Sequence, residues 1–590
     1  MDLKVNTSVA SEEERRAVDQ ILEPDTPVDD LRTARAGESL RQLRHKLLPV
    51  LHAVNDQIGW ISRGAINYIA QRLDIAPAEI YGVASFYALF SMTPRPRRQV
   101  HVCVDLVCRA AGGPKENNLP AGTHASPCLG ACERAPATLV IEAGESPRHE
   151  LLAPSTPSEI EALVDGSWPN AEAPIASAVP QLGRDASLVL LRRIGKVDPT
   201  SIAAYQTHGG FEALKKALAM GATRVIAEVA NSGLVGRGGA AFPTGRKWAA
   251  VAEQRVQPHY IVCNADESEP GTFKDRVLLE GDPFALIESM TVAGFATESA
   301  KGWVYLRGEY PRALRILHQA IDAARQHGFL GHNILGSGYS FDIEIVRGGG
   351  AYICGEETAI FNSIEGFRGE PRNKPPFPVE VGLFGKPTLV NNVETLVNVL
   401  PIIQHGGAAY AKLGTEGSKG RKLFCVSGAV DEPGVYEVEF GITLRQLLEL
   451  AGGMRQGSSL QAILLGGAAG GFVGPDDLDL PLTLEGTKAA GSTLGSGVVL
   501  VLDTTVDLID QLQRIAAFFR DESCGQCVPC RVGTVRQQEV ISRLSRGVRA
   551  NDLELLRELG QVMRDASICG LGQTANSAIA SAISNLRILA

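Results

Sequence analysis

The sequence predicts a multidomain protein of mixed α/β and α+β class, and three observations carry that expectation. A chain of 590 residues is too long for one hydrophobic core, and roughly 100–200 residues per domain implies several. Residues 197–418 alternate helical and strand-like stretches, the pattern of helices layered on a sheet. The final stretch, 505–590, returns to helical patterning. Apolar residues make up 44% and charged residues 21%, enough to bury ordinary cores.

Taken in order, residues 1–36 are polar and acidic and read as a flexible arm. Residues 37–166 form the next unit. Leu47, Leu48, Leu51, Val54 and Ile58 recur close to a 3.6-residue period and mark one buried helix face. Pro77 sits where a helix can begin. Arg98 to Val104 and Thr138 to Glu142 read as strands. Residues 167–196 open with a Pro/Ala/Ser-rich stretch and read as a linker. Within 197–418, His259–Cys263, Trp303–Leu306 and Ile343–Val346 are strand-like. Residues 419–504 hold short strands punctuated by Gly and Pro, the mark of a small β domain.

Bulk properties exclude some functions. A formal net charge of −9 argues against a nucleic-acid binder, which usually shows a basic face. No apolar run approaches the ~20 residues that cross a bilayer, and no secretory signal opens the chain. The expectation is a cytoplasmic protein without membrane or nucleic-acid partners.

Eight of the eleven cysteines fall in two groups. Cys524, Cys527 and Cys530 follow one another at CxxCxxC spacing, with Cys569 further on. Three close thiolates wrap one face of a compact centre and a distant fourth closes it, which suits a [4Fe–4S] cube. Structural zinc more often uses two separated pairs, and CGQC alone also fits a redox dithiol. The N-terminal group is Cys103/Cys108 and Cys128/Cys132. Two pairs on two loops suit a [2Fe–2S] core, one pair per iron, and structural zinc also fits this spacing. Cys263, Cys354 and Cys425 stand alone and read as packed thiols.

Four glycine- or proline-marked segments share the middle region. SGLVGRGGAAFPTGRKW contains Gly236 and Gly238, whose backbone amides can converge on an anion beside Arg237, Arg246 and Lys247. It lacks the spacing of a standard dinucleotide fingerprint. Asn264, Asp266, Glu267 and Glu269 directly follow the apolar run YIVC, at the end of a strand where α/β folds place ligands. RGGGAYICGEET runs from a strand through glycines to Glu356 and Glu357. KPPFP, with Lys374 and Phe377, precedes NNVET. Each alone also fits an ordinary turn; their co-occurrence points to one site.

These motifs, GRGGAAFPTGRKW, NADESEPGTFKDR, GAYICGEETA, KPPFP, NNVET and ESCGQCVPCR, resemble the NADH-binding flavoprotein subunit of respiratory complex I and its soluble relatives. VASFY at 83–87 with the N-terminal cysteines resembles the small [2Fe–2S] subunit of the same enzymes. The resemblance implies a helical segment with a thioredoxin-like [2Fe–2S] domain, a Rossmann-like FMN domain, a ubiquitin-like β-grasp domain and a C-terminal helical bundle with the [4Fe–4S] centre. It implies FMN contacts from Gly236, Gly238, Lys247, Asn264, Asp266, Glu267, Tyr352, Gly355, Glu356, Asn391, Asn392 and Thr395. It implies NAD(H) contacts from Phe242, Glu269, Glu357, Lys374 and Phe377, with no side chain needed as acid or base. Two departures stand out: the family usually has glycine at Ala241, and a longer, helix-containing stretch between Cys108 and Cys128.

The functional expectation is an NADH dehydrogenase (diaphorase) subunit passing electrons between NAD(H), FMN and the clusters. Fusion of the two modules resembles soluble NAD-dependent formate dehydrogenases and NAD-reducing hydrogenases. The four N-terminal cysteines favour the formate dehydrogenase type, with a molybdenum or tungsten iron–sulfur subunit as partner in a hetero-oligomer. A hydrogenase diaphorase or a complex I NADH module is the alternative, and a zinc-binding scaffold is the reading from another class.

Overall fold

A computed structural model of the chain describes residues 7–22, 42–168, 173–544, 547 and 551–588. The N-terminal arm is only partly an arm. Glu12–Leu22 is a helix that buries Ala17, Val18 and Leu22 against helix Leu47–Ile58. Tyr68 donates to Asp19, and Arg72 pairs with the same carboxylate. The expectation of flexibility fails here because the polar run EEERRAVDQIL still carries a narrow apolar stripe. The rest of the expected arm, 1–6 and 23–36, lies outside the described residues.

Helices Leu47–Ile58, Arg63–Leu73 and Pro77–Ala84 precede a four-stranded sheet. Its strands are β1 (Arg98–Cys103), β2 (Thr123–Ser126), β3 (Thr138–Glu142) and β4 (Arg148–Leu152), in the order β2-β1-β3-β4. The β1–β2 pair is parallel and the other two are antiparallel. Only the short helix Leu106–Ala110 lies between β1 and β2. The thioredoxin-like layer therefore keeps its sheet with a reduced crossover.

The flavin region is built on four parallel strands, β5 (His259–Ala265), β6 (Ser299–Leu306), β7 (Asp342–Arg347) and β8 (Thr388–Asn392), ordered β7-β6-β5-β8. The chain steps outward from β5 to β7, then returns to the other side of β5 as β8. A crevice opens at such a reversal, beyond the strand ends. Helix Pro283–Ala296 is buried nearly all round and packs against the sheet.

A second core holds the five-stranded sheet β10-β9-β13-β11-β12, with β9 at Arg421–Gly428, β10 at Gly434–Glu439, β11 at Leu460–Leu465, β12 at Gly471–Val473 and β13 at Val498–Asp503. Central β9 and β13 are parallel and the outer pairs antiparallel. Five helices follow among the described residues, from Leu508 to Asn585.

The expected linker is a packed strap over its described residues 173–196. Leu191 and Ile194 are fully buried. The Glu437 carboxylate of β10 accepts the backbone N–H groups of Val189, Leu190 and Leu191, and Arg193 pairs with Asp282 at 2.7 Å. Its low sequence patterning reflects backbone anchoring rather than a helix or strand period. Residues 169–172 lie outside the described residues.

Candidate functional site

A cavity of about 380 Å³ opens at the crevice beyond β5 and β8. Of the residues expected to meet FMN, Gly238, Asn264, Asp266, Glu267, Tyr352, Gly355, Glu356 and Asn392 line it, as does Glu269. A Cβ at Gly238 would lie 3.0 Å from Cβ of Asn392, a tight approach that glycine relieves. Asn264 Nδ2 donates to the Gly355 carbonyl at 2.8 Å, tying the strand end to the glutamate loop. Burial pushes Asp266 well above the usual carboxylate range, against the pull of Arg307. Its Oδ2 has no hydrogen-bond partner among the described residues. A buried orphan acceptor on a ligand-sized cavity fits a bound polar molecule such as FMN.

Other expected residues form the rim and the layer behind the wall. Gly236 bonds Phe242 through its backbone N–H. Thr395 Oγ1 accepts the Arg237 N–H at 2.8 Å, and Asn391 Oδ1 accepts the Trp248 indole N–H at 2.9 Å. Lys247 Nζ lies 2.8 Å from Glu357. Lys374 bridges Glu356 and Glu357 at 2.8 and 2.9 Å. Burial opposes ionisation of Glu357, but Lys247 and Lys374 outweigh it and hold the carboxyl below its usual range. Phe242 and Phe377 expose about half their surface, at 48% and 52%. Ala241 takes a left-handed φ of 51°, a backbone position that glycine occupies without strain.

Several lining residues come from elsewhere: Gly466, Ala469, Thr493, Gly495 and Ser496 from the β-grasp sheet's loops, and Gly570, Leu571 and Thr574 from the C-terminal helices. Sequence reading missed them because nothing local marks a distant loop as a wall. Glu269 joins the two domains, accepting from Tyr352 Oη at 2.5 Å and from the Ala469 N–H at 3.0 Å. Burial pushes its carboxyl up to about 7.

The four N-terminal cysteines are all buried. Cys128 and Cys132 lie 3.5 Å apart, sulfur to sulfur, and the Gly130 N–H points at Cys128 Sγ. The neighbouring thiols of Cys103 and Cys132 pull the Cys128 thiol well down, with Arg307 assisting. A compact, buried four-thiol set with an amide aimed at sulfur fits a [2Fe–2S] core. In the C-terminal group, Cys524 and Cys527 are half-buried, while Cys530 and Cys569 are buried. Burial pushes the Cys569 thiol up to about 11, partly offset by the N–H groups of Leu571 and Gly572. A cationic cluster reverses that cost, because coordination deprotonates a thiol. Leu571 and Gly570 also line the flavin cavity, so the two sites share a wall.

A parallel sheet with a ligand-sized crevice, flanked by two four-cysteine groups, fits an electron-transfer flavoprotein with iron–sulfur centres. Four family descriptions match: Nuo51 FMN-binding domain over 229–401, NADH-ubiquinone oxidoreductase-F iron-sulfur binding region over 510–588, thioredoxin-like [2Fe-2S] ferredoxin over 34–166, and SLBB domain over 423–475. The F 2 subunit of the NADH-quinone oxidoreductase of Rhizobium meliloti is 44% identical over 402 residues, covering 68% of this chain and 96% of that one. The HndC subunit of the NADP-reducing hydrogenase of Solidesulfovibrio fructosivorans is 44% identical over 396 residues, covering 67% and 80%. A crystal structure of NAD+-reducing [NiFe]-hydrogenase in the H2-reduced state superposes with a TM-score of 0.78 at 32% identity, covering 92% of this chain and 91% of that one. The chain belongs to the family of NADH-binding flavoprotein subunits of NADH-quinone oxidoreductases and related hydrogenases. It is an oxidoreductase subunit with FMN, [2Fe–2S] and [4Fe–4S] as cofactors and NAD(H) as the family's nucleotide. Among the described residues, no helix is long and apolar enough to cross a membrane.

Proposed function

We propose that this chain is the cytoplasmic diaphorase subunit of a soluble NAD-dependent formate dehydrogenase, partnered by a molybdenum or tungsten iron–sulfur subunit. The observation that carries this reading is the union, in one chain, of a flavin site with a complete, buried set of four N-terminal cysteines. The hydrogenase diaphorase is the second reading, supported by a structural likeness that spans 92% of this chain.

FMN held in the cavity by residues such as Asn264, Asp266 and Asn392 would supply the conversion between two-electron hydride chemistry and one-electron transfer to iron–sulfur centres. The chain's own residues orient the reactants. The exposed rings of Phe242 and Phe377 offer faces for planar rings, and the rim carboxylate of Glu357 offers an acceptor for a ribose hydroxyl or carboxamide. Glu356 supports the wall by capping helix Glu357–Ile364. Lys374 pairs with both glutamates and Lys247 with Glu357, which fixes their orientation. A rim carboxylate disfavours a 2′-phosphate, so NADH is the preferred nucleotide over NADPH.

Cys103, Cys108, Cys128 and Cys132 are assigned to the [2Fe–2S] centre, and Cys524, Cys527, Cys530 and Cys569 to the [4Fe–4S] centre. The half-buried Cys524 and Cys527 put the latter nearest solvent, where a partner's electron acceptor can dock. The isolated chain should reduce artificial dyes with NADH and show no activity with formate or hydrogen. The complex purified from its native source should reduce NAD with formate and contain molybdenum or tungsten. A nickel-containing partner and hydrogen-dependent NAD reduction would select the second reading.

A further inference from the structure

The two N-terminal cysteine pairs stand in unlike surroundings. Cys103 and Cys108 pack in their own module's apolar cluster, with Leu139, Ile141 and Leu151. The Cys128–Cys132 loop is gripped by side chains of the flavin region. Arg307, just beyond β6, donates Nη2 to the Cys128 carbonyl and Nη1 to the Glu267 carbonyl, the latter at 2.6 Å. Arg276 donates Nε to the Gly130 carbonyl at 2.8 Å and pairs with Glu133 at 2.6 Å. Tyr310 fills the notch beneath Gly130, where a Cβ would come within 2.3 Å of its hydroxyl.

Arg276, Arg307 and Tyr310 are at most 2% exposed. The charge of Arg307 is opposed by Glu309 at 3.2 Å. Arg276 is opposed by Glu133 and by Glu280 at 3.6 Å. On the module's own side, Asp105 accepts the Cys128 N–H at 3.1 Å and is paired with Arg514. Charges this deep are poorly screened by water or salt, so each acts strongly on its neighbours.

We infer that Arg307 and Arg276 are positioning residues for the Cys128–Cys132 half of the [2Fe–2S] site, and that the buried Arg307–Glu309 pair sets the reduction potential of that centre. The inference rests on the assignment of these four cysteines to a [2Fe–2S] centre. Reduction adds one negative charge to the centre. A fixed cation beside it favours the reduced form, and the fixed carboxylate that opposes the cation disfavours it. Of the other neighbouring charges, Asp105 is paired with Arg514, Glu133 with Arg276 and Arg134, and Arg276 also with Glu280, none of them through Arg307 or Glu309.

The two members of the pair therefore have opposite effects. Arg307→Gln should lower the midpoint potential of the [2Fe–2S] centre, and Glu309→Gln should raise it. Arg307→Lys, which keeps the charge, should lie nearer the wild type. The measurement is an EPR-monitored redox titration of the full chain, with the [4Fe–4S] signal as internal reference. A purely structural role would not split the two neutral variants in opposite directions. Wild-type potentials in both, or shifts in the same direction, would overturn the inference. If Arg307→Gln does not assemble its centre, Glu309→Gln and Arg307→Lys decide it: the first must move upward and by more than the second moves. A wild-type chain with no [2Fe–2S] signal would instead defeat the cofactor assignment on which the inference stands.

Discussion

Glu356 turns one carboxylate oxygen back onto its own helix, accepting the N–H groups of Thr358 and Ala359, while Glu357 faces two lysines. Adjacent and chemically identical, they are separated by backbone geometry into a support and a contact. Glu357→Gln removes a charged acceptor while leaving the cap intact. It should raise KM for NADH by roughly tenfold, the loss of about 1.5 kcal/mol for a charge-assisted hydrogen bond, with FMN content unchanged in absorbance spectra. Unchanged kinetics would remove Glu357 from the nucleotide site. Glu269 gives a pH signature. Burial holds its folded carboxyl at about 7 against an ordinary 4.5, so between these values the folded protein keeps a proton that the unfolded chain releases. Stability should therefore fall as pH rises through that window, and Glu269→Gln should flatten this part of the slope in melting-temperature measurements. An unaltered slope would show that Glu269 is not protonated in the folded protein.

Among elements, those with a period or a terminal marker were legible and those held by distant partners were not. The strand read at His259–Cys263 announces itself as an apolar run followed by polar residues, and Asn264 at its end does line the cavity, whereas the strand ending at Asn392 was read only as the NNVET motif. The contributions of Gly466–Ala469 and Thr493–Ser496 were invisible, because they depend on how the β-grasp sheet sits against the flavin crevice. Helix Glu12–Leu22 was hidden by its charge, and strap 173–196 by having no period at all. One side chain, Glu437, supplies three of the strap's backbone anchors. Glu437→Gln weakens three charge-assisted backbone contacts and should cost about 1–3 kcal/mol. Limited proteolysis should then cut within 173–196 faster than in the wild type; an unchanged cleavage rate would mean that the Arg193–Asp282 pair and the burial of Leu191 and Ile194 hold the strap without it.

At the scale of the whole molecule, the cysteine spacings and the five flavin-site motifs carried the assignment of cofactors, since ligand chemistry is written in local sequence. What local sequence does not encode is how the modules meet: the shared wall between the flavin cavity and Leu571, and the arginines that reach from one module to the cysteine loop of another. The central claim is that one chain takes electrons between a nucleotide, a flavin and two iron–sulfur centres. Its most direct test is anaerobic metal, sulfide and flavin analysis of the purified chain, with EPR after addition of NADH. The account predicts about six irons and one FMN per chain, bleaching of the flavin absorbance by NADH, and EPR signals from reduced iron–sulfur centres. Stoichiometric zinc in place of iron, with no EPR signal on reduction, would contradict it.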